Sequence, residues 1–354
     1  MSASSTSGGS EGPVVWLGQS VDTSSLCAPH AELRRMPFLT SLGCAIRRPS
    51  LRDTHFNENL RKRLGVTGPL MIDSGGFALL MNPHAKWNLR SVAESIGRID
   101  AQVFVTLDFP PRPKDNSEVR KKKIMRSNRN FRLLAERFPD KTIMPVIHGR
   151  TLQEVDFSIK SVTRISSDPE WVGLGGIVPL LQQRYVSREV SKLGAEVFIG
   201  LALGMIRNGF PRAKIHAFGA GGTRTFPAVF ALGADSGDSI GWRQAAGFGS
   251  IFLPLRSQRT VRWNTERRPP RKMLSDEDAE LLRCCGCPVC RRATSYQELV
   301  NGFWASFEKR SIHNAWTTAN QHKSWPGSRP ALLSFVGAGN LGSRWARAVN
   351  LRQK

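Results

Sequence analysis

Aspartates recur where apolar runs end: Ile72-Asp73-Ser74-Gly75-Gly76, Leu107-Asp108 and Asp235-Ser236-Gly237-Asp238. Two carboxylates facing one sugar can act as nucleophile and general acid/base at its anomeric carbon. A third can accept hydrogen bonds from the donor edge of a guanine-like base. His148-Gly149, Gly173-Leu174-Gly175-Gly176 and Gly219-Ala220-Gly221-Gly222 stand at further run ends. One such site would be an ordinary turn or helix cap, whereas a succession of them points to a single shared face. A second constellation is Cys285-Gly286-Cys287-Pro288-Val289-Cys290 with His313 downstream. Cys-x-Cys-x-x-Cys puts three thiolates on one tight turn, and an imidazole then completes the Cys₃His shell that a structural Zn²⁺ prefers. His313 and His322 compete for the fourth position, and Cys284 can replace Cys285 if the turn slips. Disulfides are disfavoured, because adjacent cysteines pair poorly and no secretory context is visible. A closed shell has no open coordination position, so the chemistry is expected at the aspartates.

The elements that must carry these residues alternate. Strands are expected over Val14–Gly18, Phe38–Ala45, Pro69–Asp73, Val103–Asp108, Thr142–His148, Trp171–Val178, Lys214–Phe218 and Ala228–Asp235. Helices are expected between them, including Ser91–Arg98, Ser117–Phe138, Leu152–Arg164 and Arg188–Arg207. Continuous apolar runs suit parallel strands covered on both sides. Eight such units fit an α/β protein of the (β/α)₈ TIM barrel type, with a C-terminal zinc-binding subdomain. Every loop named above then rises at the barrel's C-terminal mouth.

Charge narrows the partner. The 354 residues carry 51 Lys+Arg against 28 Asp+Glu, a net charge of +23 that favours a polyanion. A basic segment over 256–272 holds Arg256, Arg259 and Arg262 around Trp263, a pattern suited to phosphates and one stacked base. Lys121 and Lys122 belong to a second basic run with helical spacing, and Arg243 follows the last aspartate. The expected division is a disordered tail over 1–12, a barrel over 13–255, a basic linker over 256–272, and a zinc-binding region over 273–354 whose C-terminal helices complete the barrel. No apolar run is long enough to span a bilayer, and residues 1–12 lack a signal peptide's pattern. With free cysteines, this predicts a cytoplasmic protein.

In order along the chain, Ile72-Asp73-Ser74-Gly75-Gly76-Phe77, Gly173-Leu174-Gly175-Gly176, Phe218-Gly219-Ala220-Gly221, Gly233 to Ser239, the cysteine motif and His313-Asn314 resemble the queuine/archaeosine tRNA-guanine transglycosylases. The resemblance implies a zinc-bearing barrel that exchanges guanine for a 7-deazaguanine in nucleic acid. It implies Asp238 as nucleophile at C1′ and Asp73 as proton shuttle. Asp108 would read the base's amino edge, the backbone of Gly175 and Gly176 would touch the base, and Phe77 and Phe218 would stack on it. Ser74 and Asp235 are added as further residues of the mouth. No redox cofactor or nucleoside triphosphate is implied, since one glycosidic bond replaces another.

The chain departs from the tRNA enzymes at two places. His148-Gly149-Arg150 stands where they carry a glutamine before Gly-Gly, so His148 either bonds the base or is a wall residue. Ser239-Ile240-Gly241-Trp242-Arg243-Gln244 replaces their Leu-Pro-Thr-Arg type segment and is similar to the DNA-guanine transglycosylases of the DpdA type, which insert 7-cyano-7-deazaguanine (preQ0). No further RNA-binding domain follows the zinc region in this sequence. DNA is therefore the expected substrate and tRNA the alternative. A DNA target must leave its stack, so a partner protein that opens or presents the duplex is expected, with Trp242 and Trp263 as wedges or as core residues. A non-catalytic nucleic-acid-binding subunit is the third reading, but a scaffold has no need of both Asp73 and Asp238.

Overall fold

The computed structural model describes residues 12–352 except 83, 86, 113, 183–186, 265 and 267–271. The expected tail up to residue 11 and Arg267 to Arg271 of the basic linker lie outside the described residues. Nine strand segments make one parallel sheet: β1 (Val14–Gly18), β2 (Phe38–Ser41), β3 (Leu70–Asp73), β4 (Val103–Val105), β5 (Ile143–Met144), β6 (Val146–Ile147), β7 (Trp171–Leu174), β8 (Lys214–Ala217) and β9 (Ser236–Ser239). β1 pairs with both β2 and β9. Pro145 lacks an N–H, so it splits one strand position into β5, which pairs with β4, and β6, which pairs with β7. Its carbonyl still accepts from Gly173 N at 2.9 Å. The ring therefore closes through one continuous piece of chain, and the fold is the expected (β/α)₈ barrel.

Alternation along the strands sorts their side chains into two cores. Val15, Leu17, Phe38, Leu70, Ile72, Phe104 and Val172 face the helices, within a large buried cluster. Trp16, Leu39, Met71, Val103, Val105, Met144, Val146 and Trp171 fill the barrel, where the Trp16 and Trp171 rings meet edge-on at 6.2 Å. Two residues on, at the mouth, the same inward rows become polar or aromatic: Leu39 gives way to Ser41, Met71 to Asp73, Val146 to His148. The candidate site thus stands on an apolar plug.

One expected strand is wrong. Apolar content predicts a strand over Ala228–Asp235, but Thr225–Ala231 is a helix with Phe226, Ala228, Val229 and Ala231 all buried. A short helix buried nearly all round shows no period, so composition could not separate it from a buried strand. Gly233, at φ 112°, turns the chain into the true last strand, Ser236–Ser239. That strand is Ser-Gly-Asp-Ser and has no apolar residue to announce it. The expected helix over Arg188–Arg207 is also two, Arg188–Leu193 and Ala195–Gly209, broken at Gly194 with φ 92°.

Beyond β9, the helix Gly241–Gly247 leads to a hairpin of β10 (Ser250–Ile251) and β11 (Arg259–Thr260). The helix Phe307–Asn320 then returns to pack on β1 and on Gly241–Gly247. Buried Asn314 joins these parts, accepting from Phe252 N at 2.7 Å and donating to the carbonyls of Trp242 and Ser250 at 3.0 Å. Among the described residues no helix is long and apolar enough to cross a membrane.

Candidate active site and metal centre

Asp238 projects from the end of β9. Its Oδ1 accepts the backbone N–H of Gly219 at 2.6 Å and lies 3.2 Å from His216 Nε2. Since a carboxylate only accepts, His216 carries its proton on Nε2, and the Ser236 hydroxyl donates to Nδ1 at 2.8 Å. His216 is fully buried on β8, in register with Ser236. It orients the carboxylate, and sequence reading passed over it. The available signal was a histidine inside an otherwise apolar strand, which a buried sheet tolerates only with partners. No hydrogen bond to Asp238 Oδ2 occurs among the described residues, so that oxygen is the one presented to the mouth.

Asp73 ends β3 directly beside Ser41 on β2. Ser41 Oγ donates to Asp73 Oδ2 at 2.5 Å, and Gly75 N reaches the same oxygen at 3.3 Å. Burial, and then the charge of Asp108, push its pKa up to about 7; Asp238 adds to the rise and the Ser41 hydrogen bond opposes it. Three carboxylates converging on one apolar-floored mouth repel one another's charge, so one of them keeps a proton near neutrality. Ser41 is the other residue that sequence reading missed.

Asp108 lies in the loop after β4, buried behind Gly76. A Cβ at position 76 would collide with its carboxylate, so glycine is required there by contact. Asp108 Oδ2 accepts from His148 Nε2 at 2.7 Å, and Ser74 Oγ stands 3.4 Å from Oδ1 while donating to Thr106 O at 2.8 Å. His148 is thus spent on Asp108 and abuts Gly175, where a Cβ would strike the imidazole. Gly176 follows at φ 80° with open space before it. Phe218 lies half-buried over Gly173, edge-on to His216 at 4.5 Å, while Phe77 is 57% exposed on the rim.

Asp235 does not join them. It precedes β9 and so sits at the opposite, N-terminal end of the barrel, where Arg207 and Arg329 bind it at 2.5 and 3.0 Å. Its assignment to the mouth followed from the misplaced eighth strand.

The cysteine motif folds as a compact cluster. Sγ of Cys285, Cys287 and Cys290 lie 3.8, 3.5 and 3.4 Å from His313 Nδ1. A tetrahedral ion with Zn–S near 2.3 Å and Zn–N near 2.0 Å needs S···N edges of roughly 3.5 Å, so the four donors fit. His313 Nε2 donates to Phe252 O at 2.9 Å, which fixes Nδ1 as the ligand atom. His322 lies outside the cluster, and exposed Cys284 turns to Glu280. The group can hold a metal ion such as zinc, and all four donors are used in doing so.

No protein-family model matches the chain. Over 304 residues it is 27% identical to the "tRNA-guanine(15) transglycosylase" of Pyrococcus abyssi, covering 84% of this chain and 46% of that protein. The proteins of the same name from Thermococcus kodakarensis and Methanocaldococcus jannaschii are 24% and 26% identical, over 84% and 69% of this chain. The chain spans about half the length, or less, of these curated relatives. The similarity supports the tRNA-guanine transglycosylase superfamily.

The side chains expected to grip nucleic acid divide into two groups. Arg259 is committed to fully buried Asp278 at 2.5 Å, and Arg256 pairs with Asp278 at 3.0 Å and Glu277 at 3.5 Å. They brace the helix Asp276–Arg283, not a phosphate, because a buried carboxylate must be compensated. Arg243 donates to Ser24 O at 2.8 Å and stacks on Phe307. Trp242 is fully buried, its Nε1 donating to Gly18 O at 2.9 Å, and so is a core residue. Arg262, Lys121 and Lys122 are exposed, and Trp263 packs edge-on against Trp304 at 5.0 Å.

Proposed function

We propose that the chain is a guanine transglycosylase that exchanges guanine in nucleic acid for a 7-deazaguanine. The observation that carries this is the Asp238–Asp73 pair: one carboxylate held by two donors on a single oxygen, the other with its pKa pushed up to about 7. Asp238 Oδ2 bonds to C1′ as the C1′–N9 bond breaks and its electron pair leaves on guanine. Asp73 gives that base its proton. The incoming base returns a proton to Asp73 while its N9 displaces the carboxylate, and both aspartates end as they began. Asp108 accepts from the base's amino edge, with His148 holding the other oxygen of that carboxylate. Zinc on Cys285, Cys287, Cys290 and His313 would brace the barrel rim and take no part in the exchange.

The relatives are named for tRNA, and this supports tRNA ahead of DNA as the substrate. The expectation of DNA drew on Ser239 to Gln244, yet Trp242 of that segment is buried and Arg243 is tied to Ser24. DNA remains the second reading because that segment still departs from the tRNA enzymes' pattern. Incubation with labelled guanine or 7-cyano-7-deazaguanine and either tRNA or DNA separates the two. Label in tRNA that disappears with Asp238→Asn is the expected result. Label in DNA alone reverses the order, and label in neither overturns base exchange.

A further inference from the structure

We propose that a second, basic cavity on the rim binds a backbone phosphate of the nucleic-acid substrate, next to the base pocket. The inference rests on the nucleic-acid reading above and names a contact that reading does not contain. The cavity, of about 770 Å³, is bordered by Arg120, Arg150, Ser187, Arg188, Glu189 and Lys192. Arg120 and Arg150 lie just after the loops that follow β4 and β6, and Ser187 and Glu189 bond the Arg150 carbonyl and Leu152 N, so the cavity opens on the same face as Asp73 and Asp238.

Four cations meet there against one lining carboxylate, Glu189, whose Oε1 already accepts from Leu152 N at 3.0 Å. Arg120 is held by Glu154 at 2.7 Å and by the carbonyl of Asp115 at 2.6 Å. Arg150 is buried, its Nε and Nη2 donating to Pro111 O at 3.2 and 3.0 Å, and Ser187 Oγ fastens its carbonyl at 2.6 Å. These two guanidinium groups are thereby fixed in place. Arg188 and Lys192 are exposed and make no salt bridge among the described residues. Burial, and then Arg120 beside it, disfavour the charge on Arg150, a cost that an incoming anion relieves. Two fixed guanidinium groups beside the exposed cations of Arg188 and Lys192 suit a phosphate better than a neutral group.

Placement identifies the source of that phosphate. Arg150 follows His148 by two residues, which limits their separation to about 7 Å along the backbone. A strand whose target base lies against Asp108 and His148 can therefore set a flanking phosphate in this cavity. Such a contact positions the strand without reading its sequence.

The test is the double variant Arg188→Glu/Lys192→Glu beside the control Arg137→Glu/Arg164→Glu. The control makes the same charge change at the C-terminal ends of two of the same barrel helices, on the opposite face. Binding of labelled tRNA is followed as salt rises from about 50 to about 200 mM, a range over which each lost phosphate contact lowers the log–log slope by about 0.7–0.9. The rim variant should lose about one to two units of slope with kcat at saturation unchanged, and the control should match the native chain. Equal slopes for native and rim variant overturn the site, as does an equal loss in the control. A rim variant that loses only inorganic phosphate binding would make this a small-anion site and also overturns it. A native chain that binds neither tRNA nor DNA overturns the nucleic-acid reading itself, and this site with it.

Discussion

Replacing Asp73 by asparagine should make the protein more stable at alkaline pH while destroying its activity. The carboxyl is pushed up to about 7 from a usual 3.8, first by burial and then by Asp108. A group whose folded pKa lies above its unfolded value binds a proton on folding. Its favourable contribution is complete below the unfolded pKa and is lost as pH rises through the folded pKa. The window here runs from about 4 to about 7, and a displacement of some three units, at about 1.4 kcal/mol each, is about 4 kcal/mol. Asp73 lines an open mouth, so that figure is an upper bound. Asparagine does not titrate, and its carbonyl oxygen can keep both hydrogen bonds, from Ser41 Oγ and Gly75 N. Denaturant unfolding of both proteins at pH 5 and pH 8, with metal present, cancels every other titrating group. The asparagine variant should gain up to about 3 kcal/mol on the native chain between those two pH values. Base exchange should fall by about 10²- to 10⁴-fold, the usual contribution of a general acid/base. A stability difference that is constant with pH would show that Asp73 titrates normally and that the three carboxylates are not coupled.

Three further outcomes follow from the same geometry. His216→Ala removes one of two donors on Asp238 Oδ1 and should lower kcat by about 10- to 100-fold, as loss of a hydrogen bond to a charged group costs about 1.5–3 kcal/mol. KM should change little, and His216→Gln should recover part of the rate in steady-state assays; an unaltered kcat would remove the orienting role. Cys287→Ser opens the Cys₃His set at its fully buried thiolate, so metal analysis should fall from about one equivalent to near zero and the thermal midpoint should drop. Gly76→Ala drives a methyl into the Asp108 carboxylate, and overpacking of this kind costs about 1–3 kcal/mol. KM for guanine should rise while the circular dichroism spectrum is retained.

Much of the site was legible because strand ends are written in local sequence. Apolar runs closed by Asp73, Asp108, His148 and Gly175 locate the mouth once the βα alternation is recognised, since all such ends face one way in a parallel barrel. The Cys₃His group was legible for a similar reason: three cysteines within six residues have little else to do together, and geometry had only to choose His313 over His322. What sequence could not supply were the partners. Ser41 and His216 matter because the ladder sets them beside Asp73 and Ser236, and register is a property of two strands together. Arg256 and Arg259 read as a basic surface until the fold brought buried Asp278 between them.

The last strand shows the same division most sharply. Ser236–Ser239 is polar, with Ser236 and Asp238 both bonded to His216, so hydrophobic pattern pointed to the helix before it and carried Asp235 to the wrong end of the barrel. The sequence by itself determined the fold class, the three cysteines of the group that can hold a metal ion, and Asp73, Asp108 and Asp238 as candidate residues. Only the tertiary structure decided which carboxylates meet, because charge coupling and hydrogen bonding depend on distances in space that residue spacing along the chain does not determine.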